Sequence, residues 1–228
     1  MFFELYLIKT VISAVDDDLL KIKSIKKKRY SQDCFVNFTN GRSEVIAMDL
    51  ALKYNLSKDR NLSENELREI LADNRKIKVK QVAYKYANYK PRTQQQIIQR
   101  LKQREFQEDE IDIAIRFLKE FNLIDDEKYA ENYIKELIKK KPSGKRVIKA
   151  ELMKKGIDSD LVDMTLNKFF PFDEIDDMAI QAAGKKMRMI RHKPKEKQKQ
   201  SLINFLQRRG FRWETIKGIL PEFFPSDD

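Results

Sequence analysis

One histidine, His192, stands in the run Arg188-Met189-Ile190-Arg191-His192-Lys193. A Ser/His/Asp triad needs a carboxylate to orient the imidazole, and a zinc site needs further ligands at fixed spacing. Neither accompanies His192, which cations surround. Carboxylates cluster at Asp16-Asp17-Asp18, at Asp125-Asp126-Glu127 and at Asp173-Glu174 with Asp176-Asp177. Clusters of this kind can hold Mg²⁺ for nuclease or polymerase chemistry. The second and third, however, fall at expected helix starts, where acids complement the macrodipole and cap free N–H groups. The six glycines form neither GxxxxGK nor GxGxxG, so no phosphate loop is encoded. No catalytic residue, metal ligand or cofactor is assigned.

The cations are the better candidates, and their chemistry is binding. Lys+Arg number 47 against 36 Asp+Glu, a formal net charge of +11 with a pI near 9.5. Such an excess favours a polyanionic partner: nucleic acid, an acidic protein surface, or both. Lys140 and Lys141 lead into Pro142-Ser143-Gly144, followed by Lys145, Arg146, Lys149, Lys154 and Lys155. A second group comprises Lys185, Lys186, Arg188 and Arg191, then Arg208, Arg209 and Arg212. Many lie at helix ends or in turns. Phosphate contacts from such residues give affinity without sequence reading, and steep salt dependence.

The elements that position these cations follow from one pattern written three times. Leu101, Leu152 and Leu206 head matched columns, 51 and 54 residues apart. Phe106, Ile157 and Phe211 form the next column, then Ile111, Val162 and Ile216, then Ile115, Leu166 and Leu220. A period near fifty with matched apolar columns signals a repeat array. Each repeat reads as three helices, and each must lean on its neighbours to bury its apolar face. The fold class expected is mainly α: three tandem three-helix repeats in an elongated curved array, with a small β-rich N-terminal module. In a curved array inter-helix turns line one side, so the cations would form a stripe.

The expected boundaries are 1–60 for the β module, 61–77 for a connecting helix, 78–123 for repeat 1, 124–170 for repeat 2 and 171–228 for repeat 3. In the module, Lys21–Lys26 alternates polar and apolar, Cys34–Phe38 is rich in β-formers, and Asn40-Gly41 is a strong hairpin signal before a returning strand at Glu44–Met48. The first fifteen residues are compatible with a further strand. Ser63 with Glu66 reads as a capping box, as does Thr93 with Gln96 after Pro91. Val79, Val82, Ala83, Tyr86 and Ala87 form a helical stripe. Gly156 and Gly210 are placed as left-handed helix stops, and Asp158 as an N-cap. Tyr84, Tyr86 and Tyr89 interleave with Lys85, Lys90 and Arg92 as a base-stacking surface would. Tyr86 belongs to the stripe, so the set is assigned to core packing. Trp213 is assigned as a packing anchor, and Cys34 as a small buried hydrophobe. A single cysteine precludes an intramolecular disulfide. The apolar start, Met1–Ile8, lacks a leading basic region and carries Glu4, a poor signal peptide too short to span a bilayer. The expectation is a cytoplasmic protein with no membrane partner.

Phe121–Tyr133 followed by Gly144–Ile157 resembles the RecX family of regulatory proteins: a Leu-Ile-Asp-Asp and Tyr-Ala pattern, then Glu-Leu and a Lys-Gly-Ile turn. Tyr89-Lys90-Pro91-Arg92-Thr93 resembles the entry to that family's first repeat, and the hairpin at Val36–Gly41 resembles the N-terminal module of its longer members. The pattern departs at Lys90, where arginine is commoner, and at Glu105, where the other two repeats carry glycine. The resemblance implies a non-enzymatic, monomeric modulator that binds the RecA filament on DNA. It would limit filament extension, ATP hydrolysis, strand exchange and coprotease activity, and so modulate DNA repair and the SOS response. It would touch single- or double-stranded DNA weakly and without sequence preference. The competing reading is a free-standing DNA-binding protein whose repeats act like helix-turn-helix modules, although the second helices lack the Asn/Gln/Arg cluster expected for base reading.

Overall fold

A computed structural model describes residues 19–170 and 175–225, with the side chains of 175 and 176 excluded. Asp16-Asp17-Asp18, the first fifteen residues, and Asp173, Glu174 and the side chain of Asp176 therefore lie outside the described residues. The chain forms two compact units: Met1–Ala83 with Phe106–Ala114, and Tyr84–Glu105 with Ile115–Asp228.

The first unit holds a four-stranded antiparallel sheet in the order β3-β2-β1-β4. Its strands are β1 (Leu19–Lys27), β2 (Asp33–Phe38), β3 (Ser43–Ala47) and β4 (Asn61–Ser63). The β2–β3 turn has Gly41 at φ +90°, and the Asn40 side chain accepts from the Arg42 N–H at 3.0 Å, as the Asn-Gly pair foretells. Alternation puts Leu20, Ile22, Cys34, Val36, Phe38 and Ile46 into one core with Leu62, Leu67 and Ile70. The Cys34 thiol lies 3.4 Å from the Ile46 carbonyl, and burial raises its pKa. The returning strand keeps the expected five residues but lies one residue earlier, at Ser43–Ala47 rather than Glu44–Met48. It stops at Ala47, because Met48 opens a short helix, α1 (Met48–Lys53), that buries Leu50 and Ala51.

The next helix, α2 (Glu64–Tyr89), runs for 26 residues without a break. The sequence reading divides this span into a connecting helix and the first helix of repeat 1. No glycine or proline interrupts residues 64–89, so nothing ends the helix before Pro91. At its start the Ser63 hydroxyl accepts from the Glu66 N–H at 3.1 Å, while the Glu66 carboxylate is held by Arg60. Farther along, Arg75 ties α2 to Glu110. The Glu110 carboxylate accepts from Arg75 through two N–H groups and from the Gln107 N–H at 2.8 Å. The Arg75 hydrogen bond, set against burial, keeps the Glu110 pKa below its ordinary value. A depressed carboxyl pKa stabilises the fold above the unfolded value and ceases to do so as pH falls through the folded one. Glu110→Gln is therefore expected to cost about 1–2 kcal/mol at pH 7. Urea unfolding should show the two proteins converging as the pH is lowered below about 4; a constant gap would refute the role.

The remaining helices are α3 (Gln94–Lys102), α4 (Glu108–Glu120), α5 (Asp126–Lys140), α6 (Lys145–Lys154), α7 (Ser159–Phe169), α8 (Ile175–Ile190), α9 (Lys195–Arg208) and α10 (Trp213–Phe223). They complete three tandem three-helix repeats whose second helices are α3, α6 and α9. Leu101, Leu152 and Leu206 are fully buried, and the matched columns follow them inward, with Phe106 and Leu220 half-buried. The chain is mainly helical with a small antiparallel sheet. Among the described residues no helix is long and apolar enough to cross a membrane.

Candidate functional site

In the second unit one joint recurs. Thr93, the N-cap of α3, closes a capping box with Gln96, and its hydroxyl also donates to the carbonyl of Lys155, the C-cap of α6, at 2.7 Å. One repeat later, the N–H of Gly144, the N-cap of α6, donates to the carbonyl of Arg209, the C-cap of α9, at 2.8 Å. The start of each second helix thus receives the end of the next. The helix ends satisfy each other's unpaired N–H and C=O groups, and opposite poles of the macrodipoles meet.

The glycines serve these joints. Gly156 (φ +83°) and Gly210 (φ +80°) take the left-handed turn, with Ile157 N–H donating to Leu152 at 3.3 Å and Phe211 N–H to Leu206 at 3.2 Å. A Cβ on Gly156 would lie 2.3 Å from the Gln95 Cβ, and one on Gly210 would lie 2.7 Å from a Val147 methyl. Glu105 makes the same turn at φ +62°. It follows α3, the first second-helix of the series, so this turn is made there without glycine.

The second joint opens into a cleft of about 1020 Å³. It is lined by Lys145, Arg146 and Lys149 of α6, Asp163, Leu166 and Asn167 of α7, Gln207, and the stretch Gly210–Thr215 that begins α10. Lys149 pairs with Asp163 at 2.6 Å, and the Lys145 ammonium donates to the Phe170 carbonyl at 2.9 Å. Arg146, Arg212 and Trp213 are exposed.

The structure distributes the other predicted cations unevenly. Lys140 pairs with Glu136 one turn away. Lys155 sits 4.8 Å from the Tyr133 ring centroid, whose hydroxyl donates to Glu151, and burial first and that bond second raise the Tyr133 pKa. Lys186 and Arg209 flank the Phe205 ring at 5.5 and 5.0 Å. Burial lowers the Arg209 pKa, and its Nη1 is buried without a hydrogen-bond partner. Lys185 reaches the Lys139 carbonyl at 3.4 Å. Lys141, Lys154, Arg188, Arg191 and Arg208 are exposed to solvent. Lys145, Arg146, Lys149 and Arg212 are the ones brought to a common cleft.

Two aromatic assignments are corrected. Trp213 is 50% exposed and faces the cleft, so it is no packing anchor. The signal was in its own column: the matching residues are Ser159 and Glu108, and no core position tolerates both. Tyr84 and Tyr89 are exposed, at 44% and 82%. Tyr86 is half-buried, with Arg92 4.3 Å from its centroid and Arg100 at 5.7 Å. The acids at Asp125-Asp126 do sit at a helix start. Asp125 caps the Lys128 N–H at 2.9 Å, while Asp126 accepts from the Gln94 N–H at 2.8 Å and has its pKa raised by burial.

Three family models match the chain in succession. Residues 80–118 match "RecX, first three-helix domain", residues 125–166 the second such domain, and residues 173–220 the third. Among curated relatives, the regulatory protein RecX of Clostridium acetobutylicum is 31% identical over 217 residues, 93% of this chain and 99% of that protein. The one from Clostridium perfringens is 33% identical over 176 residues, 75% of this chain and 81% of its own. A solved RecX structure superposes with a TM-score of 0.67 at 24% identity, covering 88% of this chain and 98% of its own. RecX from Lactobacillus salivarius gives 0.58 at 26%, covering 66% and 97%.

Proposed function

This chain belongs to the RecX family of regulatory proteins, and on that premise we propose that it is a non-enzymatic, cytoplasmic, monomeric regulator of the RecA filament on DNA. The observation that carries the reading is the ordered succession of three matched three-helix domains over more than half of the chain. On this account the protein binds along the filament through its cations, slows extension and so lowers ATP hydrolysis, strand exchange and coprotease activity. The excess of 47 basic over 36 acidic residues suits a filament that presents phosphate and carboxylate. Repeated modest contacts from linked repeats give a strong total, because each later contact forms at high effective concentration.

The test is the RecA ATPase rate on single-stranded DNA with this protein added below stoichiometry. The expected result is a clear fall in rate. Arg188→Glu, Arg191→Glu and Arg208→Glu together should raise the amount of protein needed for half inhibition about tenfold. These exposed side chains lie outside the cleft, so reversal tests charge without disturbing the joint. An unchanged rate at stoichiometric excess of folded protein would defeat the reading.

A further inference from the structure

The two joints between second helices share their backbone geometry and so control for each other. At the first joint the corresponding positions are Gln94, Gln95, Asp158 and Ser159; at the second they are Lys145, Arg146, Arg212 and Trp213. Packing does not demand the second set, since the first joint closes without it. Positive charge and aromaticity are therefore added to one joint and not the other. The added indole is half-exposed at the mouth of a cleft whose size is at the upper end of the roughly 300–1,000 Å³ common for ligand sites.

We propose that this cleft, between the start of α6 and the start of α10, is a docking site for single-stranded nucleic acid. One base stacks on Trp213, and the adjoining phosphates lie against Arg146 and Arg212. The charge of the lining supports an anion. Lys149 and Asp163 neutralise each other, and the other charged lining residues are the cations Lys145, Arg146 and Arg212 and the single anion Glu214. An exposed ring in a cleft that also holds two guanidinium groups is what a stacked base with adjoining phosphates requires, since every base offers a π-face whatever its sequence. A duplex holds its bases stacked on one another and offers no such face. An acidic peptide would satisfy the cations but leave the indole without a stacking partner. The site extends the filament reading, on which it rests, by assigning the part of this chain that touches the DNA strand.

Trp213 is the only tryptophan, so its emission reports on the cleft alone. The experiment titrates the full chain, without RecA, with an oligo-dT strand at low salt, following Trp213 emission and, on a labelled strand, anisotropy. Saturable quenching that tracks anisotropy is expected. Arg146→Glu with Arg212→Glu should weaken both signals at least about tenfold with unchanged circular dichroism, and Trp213→Ala should weaken anisotropy-detected binding about tenfold. An abasic strand of equal length should bind more weakly and quench little. Binding seen by anisotropy with unchanged emission would place the strand elsewhere and overturn the proposal. So would quenching by poly-glutamate in the absence of any by oligo-dT, which would make the cleft a protein-docking site. Because RecA is absent, failure here leaves the filament reading to its own ATPase test, and success here does not prejudge that test.

Discussion

Gly144→Ala is expected to destabilise the full chain by about 2–4 kcal/mol in urea unfolding. The cost does not come from the backbone, since Gly144 has φ −70°, which alanine adopts freely. It comes from space. A Cβ there would lie 2.1 Å from the Gly210 carbonyl oxygen and 2.8 Å from the Phe211 nitrogen. Both are backbone atoms, so no rotamer change relieves the clash. The joint must open, stretching the 2.8 Å bond from Gly144 to Arg209 and leaving buried polar groups short of partners. Gly184→Ala is the matched control. Gly184 lies inside α8, and a methyl added there would meet nothing within 4 Å, so alanine should stabilise by about 0.5–1 kcal/mol. A Gly144→Ala midpoint within about 0.5 kcal/mol of the parent would show that the two helix ends are not in tight contact.

That joint marks where sequence reading stops. The three repeats were legible because their apolar columns repeat, and burial is a property of columns: Leu101, Leu152 and Leu206 are all inside. Helix ends were legible where a local rule applies, as at Thr93 with Gln96, Asp158 and Gly156. The joints were not. They connect Thr93 with Lys155 and Gly144 with Arg209, each pair more than sixty residues apart, partly through backbone atoms that every residue type carries. Glycine in the turn column reads as a demand for positive φ, and Glu105 shows that demand met without glycine. Close approach of the preceding repeat's second helix is the second demand, and only the structure displays it.

The candidate site was legible in part for a related reason. The basic residues are conspicuous as a class, but a lysine in sequence does not reveal whether it is engaged. Lys149 is paired with Asp163, and Lys155 lies over a tyrosine ring, whereas Arg146 and Arg212 stand exposed at one cleft. Trp213 was misassigned because tryptophan is usually buried on average, a type-level expectation that its polar column partners contradict. The β module's short α1 was missed because six residues are too few for a periodic signal.

Asn74→Ala should destabilise the sheet-bearing unit by about 2–4 kcal/mol, and the reason lies in an edge strand. β3 is at the edge of the sheet, where backbone groups lack a neighbouring strand and are prone to pair with other chains. Asn74 projects from the middle of α2 and is 3% exposed. Its carboxamide accepts from the Ala47 N–H at 3.0 Å and donates to the Val45 carbonyl at 2.8 Å. One side chain thus supplies the donor and acceptor that a further strand would have offered. Lys78 adds a bond to the same Val45 carbonyl at 3.0 Å. Truncation leaves the Ala47 N–H and weakens the satisfaction of Val45, each loss costing about 1–3 kcal/mol when buried. Asn74→Leu separates polarity from volume: it keeps the bulk and should be as damaging as alanine. Asn65→Ala, at an exposed position of the same helix, should change stability by less than about 0.5 kcal/mol. Hydrogen exchange gives the residue-level check, because the Ala47 amide should lose its protection in both Asn74 variants. If that amide exchanges as slowly as in the parent, water or a neighbouring group replaces the carboxamide, and Asn74 is not what closes the edge.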